Sequence, residues 1–200
     1  MKVLVVGASG TIGTAVTRAL RARGHAVLGA SRLSEPVVDL TRAESVVALL
    51  DGVAELDAVV CCAASGGLTL VHEGDEAEFT TGLAGKLLGQ VRLLRAAIPR
   101  LRDGGSVTLT GGTFTEPLPG ASFGALINAG LAGFVAAAAA ELPRGLRVNL
   151  VAPGWVRETL GVPDRGVPAA EVADCYVRAI EDTSLNGRAL VVAQQTLGLR

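Results

Sequence analysis

The sequence predicts a three-layer α/β domain, with helices on both faces of a doubly wound parallel sheet. Three observations lead there. Short apolar runs alternate with helical patterns along all 200 residues. The runs are apolar at consecutive positions, as strands covered on both faces require. The first run also passes through a glycine-rich string directly into a helix. The expected strands are Lys2–Val6, Ala26–Ala30, Ala58–Cys62, Ser106–Thr110, Arg147–Val151 and Arg188–Val192. Between them, helical spacing predicts Ile12–Arg23, Ser45–Leu50, Leu83–Leu101, Leu126–Glu141 and Ala169–Glu181. No repeat or linker interrupts the pattern, so residues 1–200 are expected to form a single domain.

Composition narrows the function classes. Apolar residues make up 50% of the chain and charged ones 18%, enough for a real core. The net charge is −1 with no basic stripe, which leaves nucleic-acid binding without electrostatic support. Three Cys, two of them adjacent (Cys61 and Cys62), cannot form a disulfide framework and point to a reducing compartment. Met1-Lys2 leads straight into Val3–Val6, too short a run for a signal peptide, so a cytoplasmic location is expected. The uncharged stretch from Pro117 to Ala140 is interrupted by Pro, Gly and Asn128. It is expected to be a loop and a buried helix, not a membrane span. The small count that matters most is a single Tyr.

Strand Lys2–Val6 runs into Gly7-Ala8-Ser9-Gly10-Thr11-Ile12-Gly13, and a helix follows. Gly7 permits the sharp turn, Gly10 lets the backbone approach a pyrophosphate, and Gly13 lets the helix pack close to the strand. The helix N-terminus, with Ser9, Thr11 and Ile12 around it, offers free N–H groups to phosphates. In this strand–turn–helix setting the string reads as a Rossmann-type dinucleotide site. The second strand ends Gly29-Ala30-Ser31-Arg32, without the acid that would accept from an adenosine ribose hydroxyl. Arg32 and Ser31 instead suit a 2′-phosphate, which favours NADP(H) over NAD(H), unless Arg32 is simply a solvated surface charge.

Further segments make the chain resemble the short-chain dehydrogenase/reductase superfamily over nearly its whole length. Asp39-Leu40 is similar to the pair that contacts adenine. Cys62-Ala63-Ala64-Ser65-Gly66 stands where members usually carry Asn-Asn-Ala-Gly. Glu141-Leu142 and Gly145-Leu146-Arg147-Val148-Asn149 resemble the end of the catalytic helix and the strand after it. Val151-Ala152-Pro153-Gly154-Trp155-Val156 resembles the Pro-Gly turn beside the nicotinamide. The resemblance thus implies cofactor contacts at Asp39, Leu40, Ala63, Ala64, Asn128, Pro153, Gly154 and Val156, besides those of the glycine turn. It also implies a catalytic set of Asn, Ser, Tyr and Lys, and here this chain departs from the pattern. The family's spacing puts Gly124 at the Tyr position, Asn128 at the Lys position, Gly111 at the Ser position and Lys86 at the Asn position. The one Tyr, Tyr176, falls in the late helix, where it reads as partly buried packing. The chain therefore resembles a side branch that keeps the fold without the usual active-site residues.

Other groups remain as candidates for chemistry at the nicotinamide. Lys86 is a possible acid if burial lowers its pKa, or else a solvated chain. Thr110 and Thr113 follow a strand's carboxyl end, where hydroxyls bind a substrate oxygen or merely furnish a loop. Asn128 cannot titrate but can hold ribose hydroxyls. Cys61 and Cys62 are expected in the core, His72 in a solvated loop, and no metal-ligand spacing is seen. Only Val156–Pro168 separates the Pro-Gly turn from the late helix, so the small-molecule substrate site is expected to be small, open or completed by another subunit. Gly130, Gly133 and a five-Ala run on Leu126–Glu141 allow close helix approach, which with Leu83–Leu101 resembles the family's dimerising pair; a homodimer or homotetramer is expected. Three functions stay open at this point. One is an NAD(P)H-dependent reductase with a non-standard proton donor, best suited to an iminium or activated alkene. The others are a non-redox cyclase, isomerase or dehydratase, and a non-catalytic NADP(H)-binding regulator.

Overall fold

The structure is a computed structural model that describes residues 1–63, 66–160 and 165–192. The first half alternates β1 (Lys2–Val6), α1 (Thr11–Ala22), β2 (Ala26–Ala30), α2 (Ala43–Asp51) and β3 (Leu56–Cys61). A short α3 (Glu76–Phe79) and a π-helical turn (Leu83–Gly89) lead into α4 (Gln90–Ala97). Then come β4 (Leu101–Thr110), α5 (Ser122–Ala138), β5 (Arg147–Pro153), α6 (Arg157–Leu160), α7 (Ala169–Glu181) and β6 (Ala189–Val192). All six strands are parallel, in the order β2-β1-β3-β4-β5-β6. The order reverses between β1 and β3, and that switch point opens a crevice at the strands' carboxyl ends.

Strand alternation explains why both faces are covered. Leu4 and Val6 of β1, with Val59 and Cys61 of β3, face α2, α4 and α5. Val3 and Val5, with Ala58 and Val60, face α1 and α7. Each Val or Leu among them contributes roughly 1.5–3 kcal/mol on burial, so neither helical layer can leave without exposing a continuous apolar sheet face. Beyond the sheet, Arg147 ties β5 to the end of α7, donating to the carbonyls of Ala179, Ile180, Asp182 and Leu185 at 2.9–3.2 Å. Asn149 Nδ2 donates to Leu185 O at 2.9 Å, and its Oδ1 accepts from Arg188 N at 3.0 Å.

Most elements fall where the sequence places them, and the differences have local causes. The expected helix Leu83–Leu101 is three pieces: the π-helical turn, α4 and a 3₁₀ turn at Ile98–Arg100 that accommodates Pro99. Leu101 already belongs to β4, whose register against β3 jumps from Leu56↔Leu101 to Ala58↔Ser106. Arg102–Gly105 therefore bulge outward, with Gly104 at φ +73°, and this turn-like stretch hides the strand start from sequence inspection. Helix α5 begins four residues before the expected Leu126, at Ser122. It is half-buried, not buried: Ile127, Leu131 and Val135 face the sheet, while Leu126 and Gly133 face outward.

Candidate functional site

The glycine turn is shaped by close approach. Gly7 has φ +84°, and a Cβ there would lie 2.6 Å from Ala63 N. A Cβ at Gly13 would lie 2.0 Å from Gly7 O, so α1 touches the turn backbone directly. Gly10 is different: its Cβ would meet only Gly7 O, at an ordinary 3.5 Å, so the bare backbone there faces a cleft and not protein. No side chain caps α1 and no acid stands in its first turn, so its N-terminal field is available to an anion. Ser9 and Thr11 are exposed at this end, while Ile12 leans on the core beneath the turn. A cleft of about 320 Å³ opens here, bordered by Gly7, Ser9, Gly10, Cys62, Ala63 and Gly85. Ala64 lies outside the described residues.

The loop after β2 walls the far side of the cleft with Ser31, Arg32, Asp39 and Leu40. Arg32 is exposed and makes no side-chain hydrogen bond or ion pair among the described residues. Ser31, expected to offer a free hydroxyl, is buried, and its Oγ accepts from Leu33 N and Ser34 N at 3.1 Å each. It shapes the loop that presents Arg32. Asp39 Oδ1 accepts from the backbone N and the hydroxyl of Thr41 at 2.9 and 2.8 Å. Those bonds, aided by the charges of Arg32 and Arg42, hold its carboxyl below the usual range.

At the other end the turn after β4 meets the turn after β5. Thr113 N donates to Pro153 O at 2.9 Å, and Gly154 N donates to Val192 O at 2.8 Å. Val156 is buried in the core, so only its backbone is available to a cofactor. Glu158 grips the start of α7, both its oxygens accepting from Ala169 N at 3.1 and 2.9 Å. Asn128, on α5, is 9% exposed, and its Oδ1 has no hydrogen-bond partner among the described residues. Its amide abuts Gly112, whose Cβ would lie 3.0 Å from Nδ2. A buried acceptor without a partner is costly unless a ligand supplies the donor. Uncapped α1, bare Gly10 and orphaned Asn128 therefore fit the two ends of a dinucleotide.

Thr110 corrects an expectation. It is buried, and its hydroxyl is shared between Cys61 O and the Tyr176 hydroxyl, so it has nothing to present to a substrate. Tyr176 is fully buried, not partly, and burial drives its pKa well above the ordinary phenol value. Burial likewise pushes the Cys61 thiol up to about 12, as a core residue would behave, and raises that of Cys62, which is half-buried at the edge of the cleft and not in the core. Gln90 was not legible as functional from the sequence. It is fully buried: Nε2 donates to Lys86 O at 2.6 Å and Thr110 O at 2.7 Å, and Oε1 accepts from Thr110 N at 2.7 Å. The π-helical turn is thereby bolted to the end of β4. That turn borders the dinucleotide cleft through Gly85 and packs on Gly130 of α5 through Leu87. Lys86, between them, is half-buried, and desolvation lowers its pKa.

Two glycines expected at active-site positions differ in the room they leave. A Cβ at Gly111 would press on Leu150 Cδ2 at 3.0 Å, and one at Gly124 would stand 3.6 Å from the Phe114 ring. Phe114 in turn meets Trp155 edge-on, with centroids 6.2 Å apart. Beside them lies a cavity of about 710 Å³, walled by the β4–α5 loop and by Leu70, Val71 and His72. The walls of this open cavity come from these two loops. Thr113 and Asn128 line it, and His72, exposed at its rim, stands 3.8 Å from Glu73. No group of metal-ligating side chains occurs among the described residues.

Comparison with known proteins agrees with this geometry. A family model described as enoyl-(acyl carrier protein) reductase matches residues 7–173. A probable low-salt glycan biosynthesis reductase of Haloferax volcanii is 44% identical over 71 residues, which covers 32% of this chain and 23% of that protein. A 3-oxoacyl-(acyl-carrier-protein) reductase of Rickettsia bellii is 28% identical over 176 residues, covering 78% of this chain and 73% of that one. The structure of the protein lin1944 from Listeria innocua superposes with a TM-score of 0.90 at 32% identity, over 96% of this chain and 99% of that one. A small-chain dehydrogenase in complex with NADPH superposes with a TM-score of 0.86 over 96% of each chain, a likeness of fold at 22% identity. The chain belongs to the short-chain dehydrogenase/reductase superfamily and, by that membership, is an NAD(P)H-dependent oxidoreductase.

Proposed function

We propose that the protein is an NADP(H)-dependent reductase of a small molecule, working with a proton donor other than tyrosine. The observation that carries this is the bare, uncapped glycine turn opening on the same cleft as Arg32. Bound dihydronicotinamide would supply a hydride. Arg32 is the group suited to a 2′-phosphate, and no carboxylate at the end of β2 opposes one. Asn128 Oδ1 accepts from a ribose hydroxyl, which removes its burial penalty and holds the nicotinamide end. Thr113 donates to the substrate heteroatom. Lys86, carried on the π-helical turn that Gln90 fixes, gives that atom its proton, and its lowered pKa makes it a better acid near neutrality.

The outward faces of the π-helical turn and α5, with Leu88 and Leu126 exposed, support a homodimer or homotetramer through this pair. No described helix is long and apolar enough to cross a membrane, and the free cysteines support a cytoplasmic setting. Calorimetric titration with NADPH, NADP, NADH and NAD tests the cofactor assignment. Arg32→Ala is expected to cut the preference for NADPH over NADH about tenfold or more. A wild-type preference for NADH would refute the role given to Arg32, and failure to bind any of the four would sink the reductase.

A further inference from the structure

We propose that the cavity beside Asn128 takes a free organic cation with an apolar body, and turns away anions, including acyl groups on phosphate-bearing carriers. The proposal rests on the reductase reading only for what becomes of the bound molecule. The wall is apolar, with Leu70, Val71, Phe114, Pro117, Leu118 and Pro119 on it. Among the described residues its ionisable side chains are His72 and Glu116, and no Lys or Arg lines it. An adjoining cleft of about 510 Å³ shares Leu70, Pro119 and Gly120 and carries Glu73 and Glu78. Asp75 and Glu76 stand exposed on that same segment. The bias is written into the chain: residues 67–81 and 112–128, which supply the described lining of both clefts, contain no Lys or Arg.

The inner end agrees with the mouth. Asn128 is nine-tenths buried and lines the cavity with an acceptor, Oδ1, that has no partner among the described residues. It calls for a donor, be it a cofactor hydroxyl or a substrate N–H. An anion entering here would leave water for an apolar wall with carboxylates around it and no Lys or Arg among the described lining residues, which is costly. A cation is drawn in by the same field, focused by low-dielectric walls. The apolar wall then selects for the body that carries the charge.

The test is calorimetric titration of NADPH-loaded protein with phenylpropylammonium, phenylpropanol and phenylpropanoate. The ammonium compound is expected to bind about tenfold or more tighter than the carboxylate, and the gap is expected to narrow in high salt. Glu116→Lys and Glu73→Lys, each checked for folding by circular dichroism, are expected to shrink or reverse the order. Equal or tighter binding of the carboxylate would overturn the proposal. So would no binding by any of the three, or an order unchanged in both variants. Repeating the titration without cofactor separates the two readings: protein that fails to bind NADPH yet still prefers the ammonium overturns the reductase and keeps the cation site.

Discussion

The hydroxyls of Tyr176 and Thr110 meet inside the core, where Thr110 also reaches Cys61 O. Helix α7 is thereby joined to the ends of β3 and β4 by polar groups that solvent does not reach. The protein's one phenol makes a buried structural bond. Tyr176→Phe is expected to cost about 1–2 kcal/mol in urea unfolding, while NADPH affinity and kcat stay within about twofold. A loss of kcat without loss of stability would return Tyr176 to the chemistry.

Gly10 and Gly13 separate cofactor binding from folding. Gly13→Ala forces a Cβ against Gly7 O, which only a shift of helix or turn relieves. Destabilisation of about 3 kcal/mol is expected, with a lower melting temperature. Gly10→Ala has room in the protein, so its stability should stay within about 0.5–1 kcal/mol of wild type. Its NADPH affinity should fall about tenfold or more, because the new methyl occupies the cleft a pyrophosphate needs. Melting curves alongside cofactor titrations read both.

Gln90 holds the π-helical turn against β4 through three backbone groups. Gln90→Leu keeps the volume and strips those groups of their partner. The expected cost is about 2–3 kcal/mol, with kcat lowered more than the NADPH dissociation constant is raised. Gln90→Glu, which can still accept from Thr110 N, is expected to recover part of the loss. Equal stability of Gln90→Leu and wild type would show that the turn is held by packing alone.

Lys86, the proton donor proposed above, is expected to carry the pH dependence. Burial disfavours its ammonium, so its folded pKa lies below the ordinary 10.5. As an acid it works protonated, so kcat is expected to fall as pH rises through that lowered value. Lys86→Met should lose this alkaline limb together with about 10²–10⁴ of rate. The stability effect has the opposite sign. Between the folded pKa and 10.5 the unfolded chain binds more protons, so stability rises with pH across that window and is lost as pH falls through it. Lys86→Met should flatten that slope. A variant with unchanged kcat and pH profile would remove Lys86 from the reaction.

Much of the molecule was legible in the chain because its causes are local. Consecutive apolar runs specify a sheet covered on both faces, and Gly7, Gly10 and Gly13 specify a phosphate turn within seven residues. That α5 carries no Tyr was legible too, since it is a property of the sequence alone. What the side chains at the site do was decided only in three dimensions. Thr110 sits at a strand end that looks open in sequence, yet its hydroxyl meets a residue 66 positions away. Gln90 looks like one polar residue on an amphipathic helix, and becomes a bolt only because β4 passes beside it. The cavity draws its walls from Leu70–His72 and from the loop before α5, segments far apart in the chain. Local propensity and periodicity say which backbone shape a segment prefers; which side chains share a volume depends on the crossovers that bring distant strand ends together.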